Sequence, residues 1–385
     1  MAAMPEQGDR DIEIPLDFDS SAPTGWVPGF HRDVVLVPWG ENPPRGAKRA
    51  AGLFDRHDAF MPEGHCWRYS GGPITVPPVP PSDAFDQIER LEGKWMFGGL
   101  FYGHFGHFLV ESSTRLWALD ALDDLRGIVF YPKQQLHHER RQYRHMLPTL
   151  HALGLKHLQI RVPQKPVIID ELATPPPGFG MGEMMEGRPE YRKWMRENLG
   201  RDIAPDGPAD IYVSRARLPS KRGSVMFEDR IEALMEKAGY TIFHPQDETV
   251  ETQLATWKAA RRIVALDGSA LHLAAMVVSP EARVAILNRG PSNNIEDYIR
   301  QFRMFADIDP VRIEAVTGFF HPRDKRVVKR ETQAILDFKT IGKTLADTGF
   351  IPSAAGWTAP SNAQMIAAVA SAEQQMGVPL QRHEV

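Results

Sequence analysis

The most constraining feature of this 385-residue chain is the regular alternation that begins at Asp210. Ile211–Ser214 (IYVS) reads as a buried strand. Phe227, Ile231, Leu234, Met235 and Ala238 then recur at helical spacing along one face, and Gly239 marks the helix stop. Tyr240–His244 (YTIFH) is the next strand, Val250, Leu254 and Trp257 mark a second helix, and Ile263–Leu266 (IVAL) is a third strand. Gly268–Ser269 opens a short apolar helix that leads to a fourth strand at Val284–Leu287 (VAIL). Short strands alternating with helices predict an α/β fold, a parallel sheet with helices on both faces. This part of the chain is Rossmann-like.

The length allows roughly two to three domains. The Ala204–Pro208 run (APDGP) reads as a boundary. It separates an N-terminal domain, 1–203, from the Rossmann-like domain, 204–330, and a helical tail, 331–385. The tail carries an Ala-rich helix near Asn362–Met376 that is expected to pack back. The first ninety residues are loop-rich, with strands predicted at Val34–Val37 and, further on, at Gly127–Tyr131 and Val167–Ile169. Helices are predicted through His138–Leu153 and around Tyr191–Asn198.

Charge and cysteine content narrow the function classes. Lys and Arg total 45 against 49 Asp and Glu, a net charge of −4, so no nucleic-acid partner is expected. Cys66 is the only cysteine, which excludes an intrachain disulfide and a Cys-rich zinc site and fits a reducing compartment. The N-terminal residues MAAMPEQGDRDIEIPLDF do not read as a signal peptide. Leu271–Val278 (LHLAAMVV) is too short to span a bilayer. A cytoplasmic protein is expected, with peripheral association at the inner membrane surface left open.

The segment Lys94–Leu122 (KWMFGGLFYGHFGHFLVESSTRLWALDAL) has an unusual polar stripe. If Tyr102–Ala118 is one helix, His104, His107, Glu111 and Arg115 share a narrow arc beside a face of Phe105, Phe108, Leu109 and Leu116. Two imidazoles and a carboxylate can exchange protons near neutrality and hydrogen-bond hydroxyl groups. The glycines at 98, 99, 103 and 106 permit close approach of a backbone or a ligand. Two other readings are an ordinary amphipathic helix and a metal site at His104, His107 and Glu111, although the spacing is not that of HExxH.

Three loops follow the strands of the second domain. Arg215, Arg217, Lys221 and Arg222 form a basic loop after the first, suited to an anionic ligand such as a diphosphate, or simply solvated. Asp267–His272 (DGSALH) follows the third, where Gly268, Ser269 and Ala270 are small enough to bring an anion onto a helix N-terminus. His272 reads either as a ligand contact or as a core histidine. Asp247 and Glu248 could bind a ribose or sugar hydroxyl, or cap the next helix.

Together, GHFGHFLVES (103–112) with Arg115–Trp117, YVSRARLPSKRG (212–223), PQDETVETQ (245–253) and the Ala265–Leu273 turn resemble glycosyltransferase family 61, the capsular-polysaccharide type. Many eukaryotic members have a His-Gly-Ala-Gly turn where this chain has Asp267–Gly268–Ser269–Ala270. The resemblance implies a GT-B enzyme with two Rossmann-like domains facing a cleft, acceptor on the N-terminal side and nucleotide sugar on the C-terminal side. It implies inverting, metal-independent transfer to a glycan acceptor, with no cofactor beyond the donor. His107 or Glu111 is then the base, with His104 beside them and Arg115 on the acceptor side. Arg215, Lys221, Arg222, Gly268, Ser269, Ala270, His272, Asp247 and Glu248 face the donor. Competing readings are a non-catalytic glycan-binding or nucleotide-binding protein of the same fold and an NAD-dependent oxidoreductase. The latter lacks a GxGxxG after a predicted strand.

Overall fold

The computed structural model describes residues 16–40, 48–80, 88–133, 143–219, 223–291, 293–324 and 332–385. The chain divides into two compact units: Met1–His145 with His157–Tyr191, and Met146–Lys156 with Arg192–Val385. The division falls within the helix Pro189–Asn198. Lys221, Arg222 and the first part of the helix expected at 138–153 lie outside the described residues.

The first unit is built on a seven-stranded sheet in the order Gln159–Arg161, Leu125–Pro132, Glu89–Phe101, Val167–Ala173, His31–Val37, Gly52–Phe54, Phe60–Met61. Its first four strands are mutually parallel. Numbered among themselves along the chain, they run 3-2-1-4, the order of a Rossmann half. The remaining three pair antiparallel. The unit is thus α/β, a parallel core extended by an antiparallel edge of which the sequence shows only the strand at Val34–Val37. Val34 to Val37 are all buried, as a strand covered on both faces requires. Val34, Leu36, Leu53, Leu91, Phe97 and Val129 lie in one core. Gly98 is fixed by packing: a Cβ there would stand 2.1 Å from the Phe130 ring.

The second unit carries an all-parallel five-stranded sheet in the order Thr241–Phe243, Asp210–Val213, Arg262–Leu266, Arg283–Leu287, Val311–Ile313. In chain order this is 2-1-3-4-5, doubly wound like a flavodoxin. Each predicted strand and helix of this part is present. Ile231 and Met235 of the helix Glu228–Lys237 pack on Tyr212, Val264 and Leu287 of the sheet.

Residues 332–385 hold the helices Phe338–Asp347 and Asn362–Met376. The same segment supplies the strands Gln333–Leu336 and Leu380–Glu384 to a second sheet, in the order Ser224–Val225, Gln333–Leu336, Val316–Pro322, Leu380–Glu384. Of this segment only the Ala-rich helix Asn362–Met376 is anticipated from the sequence; the strands and the helix Phe338–Asp347 are additions. Among the described residues no helix is long and apolar enough to cross a membrane.

Candidate functional site

Open parallel sheets bind ligands beyond the carboxyl ends of their strands, where strand order reverses. In the first unit that point lies between Glu89–Phe101 and Val167–Ala173, and the chain leaving the first of these strands is Tyr102–His107.

This segment is not the single helix that the periodicity suggested. The strand runs to Phe101. A short helical turn at Phe105–His107 then passes into a π-helical turn, Phe108–Ser112, with Ser113 N donating to Phe108 O at 3.0 Å. The hydroxyls compete for the backbone here. Ser112 Oγ donates to Leu100 O and accepts from Tyr102 N, both at 2.9 Å, while Ser113 Oγ donates to Leu109 O at 2.7 Å.

A wider turn carries Arg115 off the expected stripe. Arg115 is 2% exposed. Its guanidinium donates to His65 O at 2.7 Å and to Pro175 O, and lies 4.9 Å from the Phe97 ring centroid. Its position on an acceptor-facing stripe is thus corrected: it ties two loops to the sheet. Gly99 beside it has φ of +92°, a backbone conformation that favours glycine.

His107 and Glu111 do meet. Nδ1 of His107 lies 2.5 Å from Oε1 of Glu111, and Arg68 Nε donates to Oε2 at 2.9 Å. The Glu111 side chain is 1% exposed and that of His107 42%. Burial pushes the Glu111 carboxyl upward, but the bonds from His107 and Arg68 outweigh it and hold the carboxyl below its ordinary value. An ionised Glu111 only accepts, so Nδ1 of His107 donates to it, which leaves Nε2 as the acceptor atom of the neutral ring. Nε2 has no partner among the described residues. The ring of His107 stacks on Tyr102, centroids 5.2 Å apart and 23° between planes, and meets the exposed His104 edge-on at 5.3 Å.

Arg68, Tyr102 and Lys133 complete this cluster and were not anticipated. Arg68 Nη2 donates to Tyr102 Oη at 2.9 Å, and Lys133 Nζ lies 5.1 Å from the Tyr102 ring centroid. Arg68 lies 43 residues before Glu111, so no local period links them. Cys66 is buried close by, its thiol pushed up to about 12 by burial, and is unsuited to act as a nucleophile.

In the second unit the switch point lies between Asp210–Val213 and Arg262–Leu266. The residues just beyond these two strands are Arg215 and Gly268, two of the positions expected to face a donor. They are brought together: a Cβ on Gly268 would stand 2.7 Å from Nη1 of Arg215. The turn is anchored from below by Asp267, fully buried, whose Oδ1 lies 3.1 Å from Nε of the buried Arg289. Ser269 and Ala270 start the helix Ala270–Val277.

Arg215 is held by its backbone as well, its N–H donating to Glu228 Oε1 at 2.6 Å. Glu228 is buried, and burial pushes its carboxyl up to about 7. The residue before it, Phe227, has φ of +62°, a left-handed conformation uncommon for an aromatic side chain.

His272 turns into the core. It is 8% exposed, with Nδ1 2.8 Å from Gln301 Oε1 and its ring 4.7 Å from Tyr298. Of its two sequence readings the structure realises the core histidine. Asp247 pairs with Arg217 at 3.0 Å on the surface. The cap of the next helix is Thr249, whose side chain accepts from Thr252 N, so neither Asp247 nor Glu248 serves as that cap. Among the described residues no group of three or more His, Cys, Asp or Glu side chains is arranged to hold a metal ion.

Residues 105–285 match the family model described as Glycosyltransferase 61. The span begins at the turn that carries His107 and Glu111 and ends in the strand Arg283–Leu287, so it takes in His107, Glu111, Lys133, Arg215 and Gly268, while Arg68 and Tyr102 precede it. By class the chain is therefore a glycosyltransferase, acting on a sugar donor and a glycan acceptor. By family it carries a glycosyltransferase 61 domain. No curated protein is similar enough to this chain to count as a match.

Proposed function

We propose that the chain moves a sugar, with inversion, from a nucleotide-sugar donor to a hydroxyl of a glycan acceptor. The two units work as the halves of a GT-B enzyme, and the reaction uses neither a metal ion nor a cofactor beyond the donor. One observation carries this reading: each unit holds a polar cluster at its own switch point, basic and proton-accepting at His107, cationic at Arg215.

In the first unit the acceptor hydroxyl gives its proton to Nε2 of His107. Its oxygen then bonds to the anomeric carbon from the side opposite the diphosphate. Glu111 keeps Nδ1 protonated and stabilises the imidazolium that forms. This assigns the base to His107 and an orienting role to Glu111, with His104 at the edge of the same site.

The bond from the anomeric carbon to the diphosphate oxygen breaks as the new bond forms, and the electron pair leaves with the nucleotide. Arg215 and the amides from Gly268 to Ala270 take up that negative charge. Lys221 and Arg222 of the same loop are assigned to the diphosphate as well, and Asp247 and Glu248 to the sugar or ribose hydroxyls. From family resemblance alone we place the acceptor among cell-surface polysaccharides and the reaction in the cytoplasm, at or near the inner membrane surface.

Release of free nucleotide from a panel of nucleotide sugars, with and without oligosaccharide acceptors, tests the reading. One donor should be turned over, and the product should have the opposite anomeric configuration. A chain that binds nucleotide yet releases none from any donor would be the non-catalytic binding protein instead. Retention of configuration would remove the single-displacement mechanism.

A further inference from the structure

The cluster around Tyr102 holds more positive charge than a general base requires. Arg68 is matched by Glu111. Lys133 is not: its ammonium makes no ion pair or hydrogen bond with a carboxylate among the described residues, and it lies over the face of Tyr102. The charges that act on it are Arg49 and Arg68, which repel it, and Glu111, which attracts it. Burial first, then those two cations, lower its pKa from the ordinary lysine value.

Holding a half-buried ammonium with no carboxylate bonded to it is unfavourable unless an anion joins it. A cation–π contact leaves the three N–H donors of a lysine available. The position is that of a substrate group. Lys133 directly follows the strand Leu125–Pro132, which neighbours Glu89–Phe101 at the carboxyl edge of the parallel core. It shares the Tyr102 ring with His107, whose Nε2 is assigned to the acceptor hydroxyl.

We propose that Lys133, with Arg68 beside the same Tyr102 ring, forms a subsite for an acidic group on the acceptor glycan, so that the enzyme extends a chain bearing carboxylate or phosphate. This rests on the reading of His107 as the acceptor-side base. The subsite holds the acidic sugar while His107 deprotonates a hydroxyl of the same acceptor. It gives the acceptor side a charge preference separate from the diphosphate site at Arg215.

Ligand-observed NMR on the full chain with glucuronate, glucose 6-phosphate and glucose, which differ only at C6, tests the subsite directly. An acidic sugar should bind about tenfold or more tighter than glucose, as a bond between charged partners allows, and added salt should weaken it. Whether glucuronate or glucose 6-phosphate is preferred identifies the acidic group. The preference should vanish in Lys133→Gln and survive in Lys133→Arg, with melting curves confirming that both variants fold. Equal binding of all three sugars, or a preference unchanged in Lys133→Gln, would overturn the proposal. So would displacement of glucuronate by equimolar UDP, which would assign these cations to the leaving nucleotide. Nucleotide release by the unaltered chain is read separately, so loss of the transferase reading and loss of the subsite give different results.

Discussion

Nη1 of Arg215 lies directly over Gly268, close enough that the smallest side chain there would stand 2.7 Å from it. The two residues are 53 positions apart in the chain, yet both follow strands that flank the switch point of the second sheet. Gly268→Ala therefore displaces the end of a flexible guanidinium and leaves the backbone in place. Calorimetry with a nucleoside diphosphate should show about tenfold weaker binding, the loss of one charge-assisted contact. The melting temperature should change little. A large drop in melting temperature with unaltered affinity would show that Gly268 serves packing alone.

His107→Ala should lower kcat by roughly 10²–10⁴-fold, the usual contribution of a general base, with donor affinity unchanged. Glu111→Gln should also lower kcat, because an amide no longer stabilises the imidazolium, while KM for donor stays constant. Full activity in His107→Ala would remove it as the base.

The Glu228 carboxyl gives the second unit a pH-dependent stability. Its ordinary value is 4.5, and burial raises it to about 7 in the fold. Between those values the folded chain keeps a proton that the unfolded chain has released, so stability falls as pH rises. The contribution is fully present below pH 4.5 and is lost as pH rises through about 7. The size is on the order of 3 kcal/mol. Glu228→Gln keeps an acceptor for the Arg215 amide and cannot ionise. Its melting temperature should exceed that of the unaltered chain by roughly 5–10 °C above pH 7, and the two should converge near pH 4.5. Parallel pH profiles would refute this.

Arg115→Leu should act on stability and not on acceptor recognition. It leaves the carbonyls of His65 and Pro175 without their donor, at a cost of about 1–3 kcal/mol for each buried group. Thermal melting measures the loss. A variant that folds normally with a raised KM for acceptor would return Arg115 to the substrate site.

The first four strands of the second unit's parallel sheet along the chain, and the helices between them, were legible because their code is local. Each strand and helix carries its own period, and the small-residue turn at Gly268 follows a strand end. The His107–Glu111 contact was also readable, since an i, i+4 pair lies within one turn. The rest of that site was not. Arg68 arrives from the short strand Trp67–Tyr69 and Lys133 from the end of a neighbouring strand, so only the fold joins them to Tyr102. Arg115 was misplaced because an ordinary helical repeat was assumed through Ser112, Ser113 and Thr114. Three hydroxyl residues in a row were the available warning that the backbone hydrogen bonds would change there.

The π-helical turn at Phe108–Ser112 has a consequence for comparative work on this family. A turn closed five residues back accommodates one residue more than an α-helix allows. A related chain lacking that residue would need a gap inside GHFLVES, where sequence matching would prefer none. Ungapped superposition would then pair Arg115 with the neighbour of its true counterpart, and an inward-facing strut would be scored as variable surface.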